Sequence, residues 1–463
     1  MYITNKLSQK SNLLILIILL VIFEDLIRKF VPGHTPLIFL IKDFFIFIVY
    51  GVFFIEVVNG RKVLFNSPIV FPLLFLFVYE FISWIWTDNF NLGVFISGLK
   101  MDFYYVFLIF LIPYLFREIK LINKIYKLTK TCLIILLFLQ LFEIVFPSIA
   151  NTLSLYTLSD DYDKVFHLGH SFGQSDWISY YKTYFFSSQK FSDMTFHLYM
   201  LFLVTSLLLN KVASKTLILY TFITFFMLVM SGKRIFMILV PLLLFGLVFS
   251  LYKYNNEVRK YSMALYFAMK RLKKIFVYSI TLSIGAVVYL YFTNETVGLL
   301  IDFVYSALTD GLITRYFKEG SSYNFELFRL IREDYLWYGQ GVGTNTQGLK
   351  TFIPDAEFLL NNYELGFFKF INEHGLLGLI LFISFIISSF KFDLNTIKFN
   401  YLINYKIISI LILIYHIIFF LRFLNGHQFF GSTQTVFWFW IIMGVQLFLY
   451  RKGKYGKKEN ISF

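Results

Sequence analysis

Apolar runs of about 18 residues recur along the whole chain, and short stretches rich in lysine and arginine separate them. A helix needs about 20 apolar residues to cross a hydrocarbon core of roughly 30 Å. The pattern therefore predicts an all-α, polytopic integral membrane protein with about 12 transmembrane helices. The predicted spans cover residues 12–29, 37–58, 67–86, 101–116, 129–147, 195–210, 216–231, 234–252, 275–293, 366–390, 404–421 and 433–450.

The composition agrees with this pattern. Of 463 residues, 58% are hydrophobic and only 15% are charged, whereas a soluble globular chain carries about 25% charged residues. We expect residues 1–463 to form a single membrane-embedded domain. The single cysteine, Cys132, excludes a disulfide framework and a cysteine-based metal site. The first apolar run ends in charged residues without a small-residue cleavage site, which indicates a retained span and no removable signal peptide.

The basic residues predict the orientation. A net charge of +14 is compatible with a nucleic-acid binder, but the lysines and arginines form no continuous basic face. They lie in alternate loops, as expected for cytoplasmic loops that meet anionic lipid headgroups. We therefore expect no nucleic acid as a partner, a multi-pass protein of the cytoplasmic (inner) membrane, both termini in the cytoplasm and a basic cytoplasmic tail at residues 451–463.

Two predicted outer segments, residues 148–194 and 294–365, are too long to be simple turns. Long connections in a compact protein are usually functional or disordered, and these two contain many aromatic residues, which disfavours disorder. We expect both outer (periplasmic or extracellular) loops to carry short helices, including an amphipathic helix from about Asn324 to Leu336, and to fold against the membrane surface.

The sharpest local feature is the run Ser231, Gly232, Lys233 and Arg234 at the outer junction of two apolar spans. Adjacent cations beside hydrocarbon cost about 2.5 to 3.5 kcal/mol each at the bilayer centre, and less near an interface. One explanation is a tight helical hairpin whose cations extend to lipid headgroups. The other is an anion site in which Lys233 and Arg234 hold phosphate oxygens. Positive charge on the predicted outer side opposes the orientation rule and favours the anion site.

Further cations lie on the predicted outer side, namely Arg315, Lys318, Arg329 and Arg332 in the second long loop and Arg422 at the end of the eleventh span. A surface ion pair within the loop explains Arg329 or Arg332 taken singly. Taken as a group, these cations favour contact of at least one member with an anionic ligand.

Three alternating glycines, Gly339, Gly341 and Gly343, follow the amphipathic helix. No strand precedes them and no helix begins at the required spacing, so a dinucleotide-binding loop is disfavoured. The glycines instead predict a loop in which the backbone approaches a ligand or another helix.

One acidic residue at the mouth of a span is a candidate general base. Glu364 precedes the tenth span, near bulky apolar side chains that favour the protonated form of a carboxyl group. A helix-capping role explains the same residue. His374 lies inside the span, where a hydrogen-bonded packing residue is the expected role. His167 and His170 lie near acidic residues, but loop histidines of this kind are mostly structural, so the sequence predicts no metal site and no cofactor.

These features resemble the O-antigen polymerase and O-antigen ligase superfamily. The resemblance rests on three groups of residues: Ser231, Gly232, Lys233 and Arg234 opening a span; Gly339, Gly341 and Gly343 closing a long outer loop; and the run through Glu373, Gly375 and Gly378. A fourth group, Glu24, Arg28, Lys29, Pro32, Lys42 and Asp43, is similar to an N-terminal pattern in some bacterial polysaccharide polymerases.

The resemblance implies a GT-C-like, metal-independent, inverting glycosyltransferase that needs no nucleotide sugar. Its substrates would be undecaprenyl-diphosphate-linked oligosaccharides at the outer face of the cytoplasmic membrane. The protein would be surrounded by membrane lipids, and a chain-length regulator would be a further partner. Arg234 would match the arginine of the family's outer turn, and Arg315 or Arg329 the loop arginine, while Glu364 would deprotonate the acceptor hydroxyl.

The resemblance leaves alternatives open. The position of Glu364 is often histidine in ligases and many polymerases, which favours a repeat-unit polymerase over a ligase that transfers glycan to lipid A core. A polytopic transporter or flippase is the alternative from another class, although we find no internal repeat of the kind common in transporters.

Overall fold

The structure of the chain is a computed structural model, and it describes residues 2–30, 36–60, 69–86, 91–146, 188–211, 214–230, 234–261, 336–341, 366–424 and 433–455, with scattered helical residues between 263 and 278. These residues form helices and turns, and no β-strand occurs among them. The helices are α1 (Tyr2–Phe30), α2 (Pro36–Val58), α3 (Val70–Trp86), α4 (Leu92–Phe103), α5 (Leu108–Leu115), α6 (Ile119–Val145), α7 (Ser188–Leu208), α8 (Ser214–Met230), α9 (Arg234–Lys253), α10 (Asn255–Tyr261), α11 (Gly366–Phe399), α12 (Ile403–Leu424) and α13 (Thr433–Tyr455).

The predicted span at residues 101–116 is wrong as a single helix. The chain forms α4 from Leu92 and, after a turn at residues 104–107, the separate helix α5. The side chain of Asn91 caps α4 by accepting hydrogen bonds from the backbone N–H groups of Gly93 and Val94 at 2.9 and 3.2 Å. Such a cap begins a helix in a polar stretch that an apolar-run criterion does not include.

Other predicted boundaries differ because helices extend past their apolar runs into polar residues. Helix α7 begins at Ser188, inside the predicted first outer loop, and α11 continues to Phe399 rather than residue 390. The first residues of the predicted basic tail belong to α13, which ends at Tyr455. Apart from a few helical residues, the predicted span at 275–293 lies outside the described part of the chain.

Several helices have the length and apolar character of membrane spans. Within the described residues, four segments are long and apolar enough to cross a membrane: Ile119–Glu143, Phe191–Leu208, Phe370–Phe399 and Ile403–Leu421. Shorter apolar helical segments are Asn12–Glu24, Val70–Ile85, Lys215–Leu228 and Val240–Ser250. This is the architecture of a helical membrane protein, whereas 12 spans and a GT-C-like arrangement stay predictions.

Two helices form the centre of the bundle. Helix α13 is buried at every position from Thr435 to Tyr450, and α7 is buried from Phe191 to Leu207. A helix that is apolar on all sides belongs in the interior. Helix α13 packs against α4, α5, α7, α11 and α12, so it joins the N-terminal and C-terminal parts of the bundle.

The outer face of the N-terminal helices is strongly apolar. Phe44 and Phe47 of α2 are 62% and 68% exposed, and Phe71 and Phe75 of α3 are 68% and 61% exposed. Contiguous exposed apolar surface of this kind marks a membrane or protein contact. Together with the apolar spans, it indicates that these faces meet lipid.

Basic residues gather at one end of the bundle. The guanidinium groups of Arg117 and Arg451 lie 5.1 and 5.4 Å from the ring centre of Tyr114. In the first half of α1, the amide oxygen of Asn12 accepts a hydrogen bond from Nζ of Lys124 at 2.8 Å. The first halves of α1 and α6 and the end of α13 therefore lie toward this end, which the charge count predicts to be cytoplasmic.

The close contact between α13 and α5 gives a test of the bundle. A Cβ atom at Gly444 would lie 2.6 Å from Cβ of Ile112. We expect Gly444→Ala to destabilise the protein by about 1 to 3 kcal/mol, because the two helices must separate. Thermal denaturation of the detergent-solubilised protein measures the effect. A Cβ atom at Gly51 of α2 meets nothing within 4 Å, so Gly51→Ala is the matched control and should leave the melting temperature unchanged or raised. Equal melting temperatures for the two variants would contradict this packing.

Candidate functional site

Helix α11 is broken near its beginning. Gly375 has φ 67° and ψ −176°, a conformation that interrupts the helix and that residues other than glycine rarely adopt. An interrupted helix leaves backbone N–H and C=O groups on both sides of the break without intrahelical partners. In an apolar bundle these groups need partners from elsewhere in the chain.

The segment of residues 336–341 supplies these partners. It lies across the break and forms backbone hydrogen bonds with both halves of α11. The bonds run from Gln340 N to Asn372 O (2.7 Å), from Gly341 N to Glu373 O (3.1 Å), from Leu376 N to Leu336 O (2.9 Å) and from Leu377 N to Trp337 O (3.3 Å). The break and the segment therefore stabilise each other.

The glycines of both segments allow this close approach. A Cβ atom at Gly339 would lie 2.3 Å from the carbonyl oxygen of Glu373, and one at Gly375 would lie 2.3 Å from that of Trp337. Gly339 and Gly341 have φ values of 79° and 102°. The prediction that this glycine run brings the backbone against another helix is confirmed, whereas Gly343 lies outside the described residues.

Tyr79 of α3 fixes the break from the other side. Its hydroxyl group donates a hydrogen bond to the carbonyl oxygen of His374 at 2.7 Å and lies 3.3 Å from the carbonyl oxygen of Tyr338. A Cβ atom at Gly378 would lie 3.0 Å from the ring of Tyr79. The position of Gly378 thus lets α3 approach α11 at the level of the break.

Three buried ionisable side chains meet beside the break. Glu80 of α3, Asp102 of α4 and His374 of α11 are 0%, 3% and 1% exposed. Nδ1 of His374 lies 3.8 Å from Oε1 of Glu80, and Nε2 of His374 lies 3.8 Å from Oδ2 of Asp102. These distances exceed those of hydrogen bonds. Within the described residues, both oxygens of Glu80, Oδ2 of Asp102 and Nδ1 of His374 have no hydrogen-bond partner.

A fourth ionisable group lies close to these three. Glu373 is half-buried, and its carboxylate is near enough to interact electrostatically with Glu80 and Asp102. We call Glu80, Asp102, Glu373 and His374 the acidic cluster. Within the described part of the chain, no lysine or arginine forms an ion pair with Glu80 or Asp102, so the cluster places carboxyl groups in the interior without a lysine or arginine partner.

Two ion pairs lie on the same side of the bundle. The Nζ atom of Lys42 in α2 pairs with Oε2 of Glu24 in α1, and Nζ of Lys100 in α4 lies 2.5 Å from Oδ2 of Asp43. The hydroxyl group of Tyr105 lies 3.4 Å from Oδ1 of Asp43. Glu24 follows Asn12 by roughly 18 Å along α1, which places these ion pairs away from the basic end.

Helix α4 connects the ion pairs with the acidic cluster. Lys100 reaches Asp43, and Asp102, two residues later, reaches His374. The region therefore contains cations, carboxylates and a histidine in one apolar bundle. Charged groups at such depth are costly and usually functional.

None of the predicted site residues has its side chain in the described part of the structure. Arg234 is the first residue of α9, as expected for a residue that opens a span, and Arg422 lies in the last turn of α12. The side chains of both lie outside the described part of the structure. Lys233, Arg315, Arg329 and Glu364 lie outside the described residues altogether.

The sequence interpretation missed Glu80 and Asp102 and underestimated His374. His374 was expected to be a hydrogen-bonded packing residue, but its Nδ1 atom makes no hydrogen bond to a described residue, and its ring is flanked by two carboxyl groups. The sequence did contain an indication of this site, because both acids lie inside predicted spans, where an ionisable residue marks a functional site by default.

Comparison with protein-family models gives no match, and comparison with curated proteins gives no significant match. The resemblance to the O-antigen polymerase and ligase superfamily therefore stays a prediction that rests on its motifs.

The docking of residues 336–341 on α11 can be tested at Gly339. Replacing Gly339 with alanine should cost about 1 to 2 kcal/mol for its positive φ, and a further 1 to 3 kcal/mol, on the order of other overpacked contacts, for the overlap with Glu373. Gly60 also has a positive φ, 68°, but a Cβ atom there would meet nothing within 4 Å. Gly60→Ala should therefore lower the melting temperature less than Gly339→Ala does, and an equal loss would show that the contact is unimportant.

The buried ion pair between Glu24 and Lys42 gives a second test. Lys42→Met leaves the Glu24 carboxylate buried without its cation, and we expect a loss of about 3 to 5 kcal/mol in the free energy of unfolding. Glu24→Gln combined with Lys42→Met removes both charges and should restore most of this loss. Denaturation of the single and double variants measures the coupling. Additive losses would mean that the two side chains do not form an ion pair in the folded protein.

Proposed function

We propose that this protein is an inverting glycosyltransferase of the cytoplasmic membrane that polymerises undecaprenyl-diphosphate-linked oligosaccharide repeat units. The repeat units would belong to an O-antigen, a capsule or an exopolysaccharide. The observation that carries the proposal is the convergence of separate family-like motifs on one region of an apolar helical bundle.

Two of these motifs meet at the broken helix. The glycine run, represented by Gly339 and Gly341, docks on the segment that contains Glu373 and Gly375. The two segments are separate in the sequence. Their direct contact supports a shared purpose, since function belongs to a site and not to a fold.

The N-terminal motif supports the same interpretation. Glu24, Lys42 and Asp43 are buried, and they connect through Lys100 to the helix that carries Asp102. Paired charges in the interior hold α1, α2 and α4 in one arrangement. This rigid support is what a site needs to keep catalytic groups in place.

The chemistry explains why a membrane protein carries such groups. The lipid tail of the donor stays in the bilayer, so its catalyst must work at the membrane surface. In the reaction, the bond between the anomeric carbon and the diphosphate oxygen breaks as the acceptor hydroxyl oxygen attacks from the opposite face. Glu364 takes the hydroxyl proton, and the undecaprenyl diphosphate leaves with the bonding electrons.

The cations of the outer turn and loop would stabilise the leaving group. Arg234 and Lys233, with Arg315 or Arg329 and Arg422, would hold the diphosphate while negative charge develops on it. Fixed guanidinium groups in a poorly hydrated site stabilise such charge without reorganisation. Both termini would then lie in the cytoplasm and the site at the outer face.

A second candidate function is favoured by one observation. The acidic cluster buries carboxyl groups and a histidine inside the bundle, and groups of this kind form proton and ion pathways in transporters. A cation-coupled transporter or flippase of lipid-linked sugars would therefore use the same region. The two candidate functions differ in one measurable property: a transporter or flippase moves the lipid-linked sugar across the membrane, and a polymerase need not.

The polymerase proposal is tested by Arg234→Ala in membranes supplied with lipid-linked repeat units. We expect extension of the repeats to fall at least about 100-fold, the scale seen when an oxyanion-stabilising group is lost, while the protein accumulates normally. Arg259→Ala is the matched control, because Arg259 is exposed in α10 near the basic end. Its extension activity should equal that of the unaltered protein.

One outcome would overturn the role of Arg234, a second would overturn the polymerase, and a third would favour the transporter. Unchanged extension by Arg234→Ala membranes would remove the diphosphate-binding role of this residue. Transfer of a finished glycan to lipid A core, without extension of repeat units, would establish the ligase instead. Uptake of a labelled lipid-linked sugar into proteoliposomes, driven by a cation gradient, would favour the transporter.

A further inference from the structure

We propose that Glu80, Asp102 and His374 bind one divalent metal ion inside the helical bundle. The inference is independent of glycosyl transfer, since it rests on the ligand atoms alone. It departs from the metal-free protein expected from the sequence, in which residues so far apart along the chain gave no sign of a common site.

The positions of the ligand atoms fit a metal site. One nitrogen of His374 and one oxygen each from Glu80 and Asp102 lie within 4.8 Å of one another. Ligands at bond lengths of roughly 2.0 to 2.2 Å from a tetrahedral metal lie roughly 3.3 to 3.6 Å apart. The two nitrogen–oxygen separations of 3.8 Å start from different ring nitrogens of His374, Nδ1 toward Glu80 and Nε2 toward Asp102. With one nitrogen as the ligand, the three ligand atoms lie within 4.8 Å of one another, so side-chain rotations must bring them closer together around an ion.

The unsatisfied atoms point to a ligand between them. Both oxygens of Glu80, Oδ2 of Asp102 and Nδ1 of His374 are buried and have no hydrogen bond of normal geometry among the described residues, although the carboxyl groups of Glu80 and Asp102 lie within reach of each other. Buried polar groups in folded proteins are nearly always hydrogen-bonded, paired or bound to a metal. A metal ion would satisfy three side chains at once.

The charge of the site selects a divalent ion. Glu80 and Asp102 carry two negative charges when both ligate, and a neutral imidazole adds none. A divalent cation therefore balances the ligands, whereas a monovalent cation leaves one buried charge uncompensated. Glu373 is half-buried beside the three ligands and interacts electrostatically with Glu80 and Asp102, so it adds to the attraction for a cation.

The ligand types narrow the choice of metal further. Two carboxylates and one imidazole suit Mn²⁺ or Zn²⁺. Calcium prefers six to eight oxygen ligands, and magnesium keeps several waters and prefers oxygen. A buried site with three protein ligands, one of them nitrogen, is a poor match for either.

The surrounding structure holds the ligands in place. Glu80 follows Tyr79, whose hydroxyl group bonds to the backbone of His374. The break at Gly375, fixed by residues 336–341, sets the position of the preceding turn of α11. The ion would therefore link α3, α4 and α11 at the point where each is already held by other contacts.

A second buried histidine forms a directly hydrogen-bonded pair with a carboxylate in this bundle. Nδ1 of His416 lies 2.7 Å from Oδ2 of Asp393, and Oδ1 of Asp393 accepts a hydrogen bond from Gln446 at 2.8 Å. Direct contacts thus satisfy both oxygens of Asp393. The longer separations around His374 leave space that the pair at Asp393 lacks, which makes Asp393 a suitable control.

Binding of Mn²⁺ tests the proposal directly. The detergent-solubilised protein is freed of metal with EDTA, and Mn²⁺ is added while the electron paramagnetic resonance signal of free Mn²⁺ is recorded. We expect about one tightly bound ion per chain. Glu80→Gln and Asp102→Asn should each lower the affinity at least about tenfold, which is the smaller effect found for partners outside the first ligand sphere. Added Zn²⁺ should displace the bound Mn²⁺.

The controls separate ligation from folding. Asp393→Asn removes a buried carboxylate of similar depth and should leave Mn²⁺ affinity unchanged. Size-exclusion chromatography identifies any variant that has lost its fold, and the metal should raise the melting temperature of the unaltered protein. Absence of tight Mn²⁺ and Zn²⁺ binding to the unaltered protein would overturn the proposal, whatever the variants do. Equal affinity in folded Glu80→Gln, Asp102→Asn and unaltered protein would overturn it as well.

Discussion

The burial of charge in an apolar helical bundle is the constraint on which this structure depends. Every carboxylate or ammonium group removed from water must find a partner or lose its charge, because the cost of an isolated buried ion exceeds the stability of a typical protein. Lys42 meets this requirement with Glu24, and Asp393 meets it with His416 and Gln446. The acidic cluster around His374 stands apart, since its separations are longer and both carboxylate oxygens of Glu80 lack hydrogen bonds among the described residues.

The break in α11 extends the same constraint to the backbone. A helix in a bundle can end only where other groups replace its lost hydrogen bonds. Residues 336–341 and Tyr79 do so here, and glycine at positions 339 and 375 permits the required distance. The contacts that support the fold and the candidate functional groups thus lie in the same region. The same contacts that stabilise the interrupted helix fix the backbone of His374 and Glu373.

The sequence predicted the helical membrane architecture because apolar runs report burial or lipid contact directly. It located most helices but misplaced α4 and α5, where a polar cap at Asn91 and a turn at residues 104–107 do not follow hydropathy. The sequence also predicted the close backbone approach at Gly339, since a glycine run in a loop allows the backbone to come near another segment. The sequence could not show that the acidic cluster forms, because Glu80, Asp102 and His374 are far apart in the chain and only packing brings them together. The roles of Arg234 and Glu364 stay predictions.

The contact between Tyr79 and His374 also bears on how the protein is made. These residues are 295 positions apart, so at about 5 to 20 residues per second roughly 15 to 60 s pass between their synthesis. During this interval α3 and α4 reside in the translocation machinery or the lipid with Glu80 and Asp102 unassembled. A membrane chaperone that binds the early helices until the C-terminal half has been synthesised would therefore help the protein to fold.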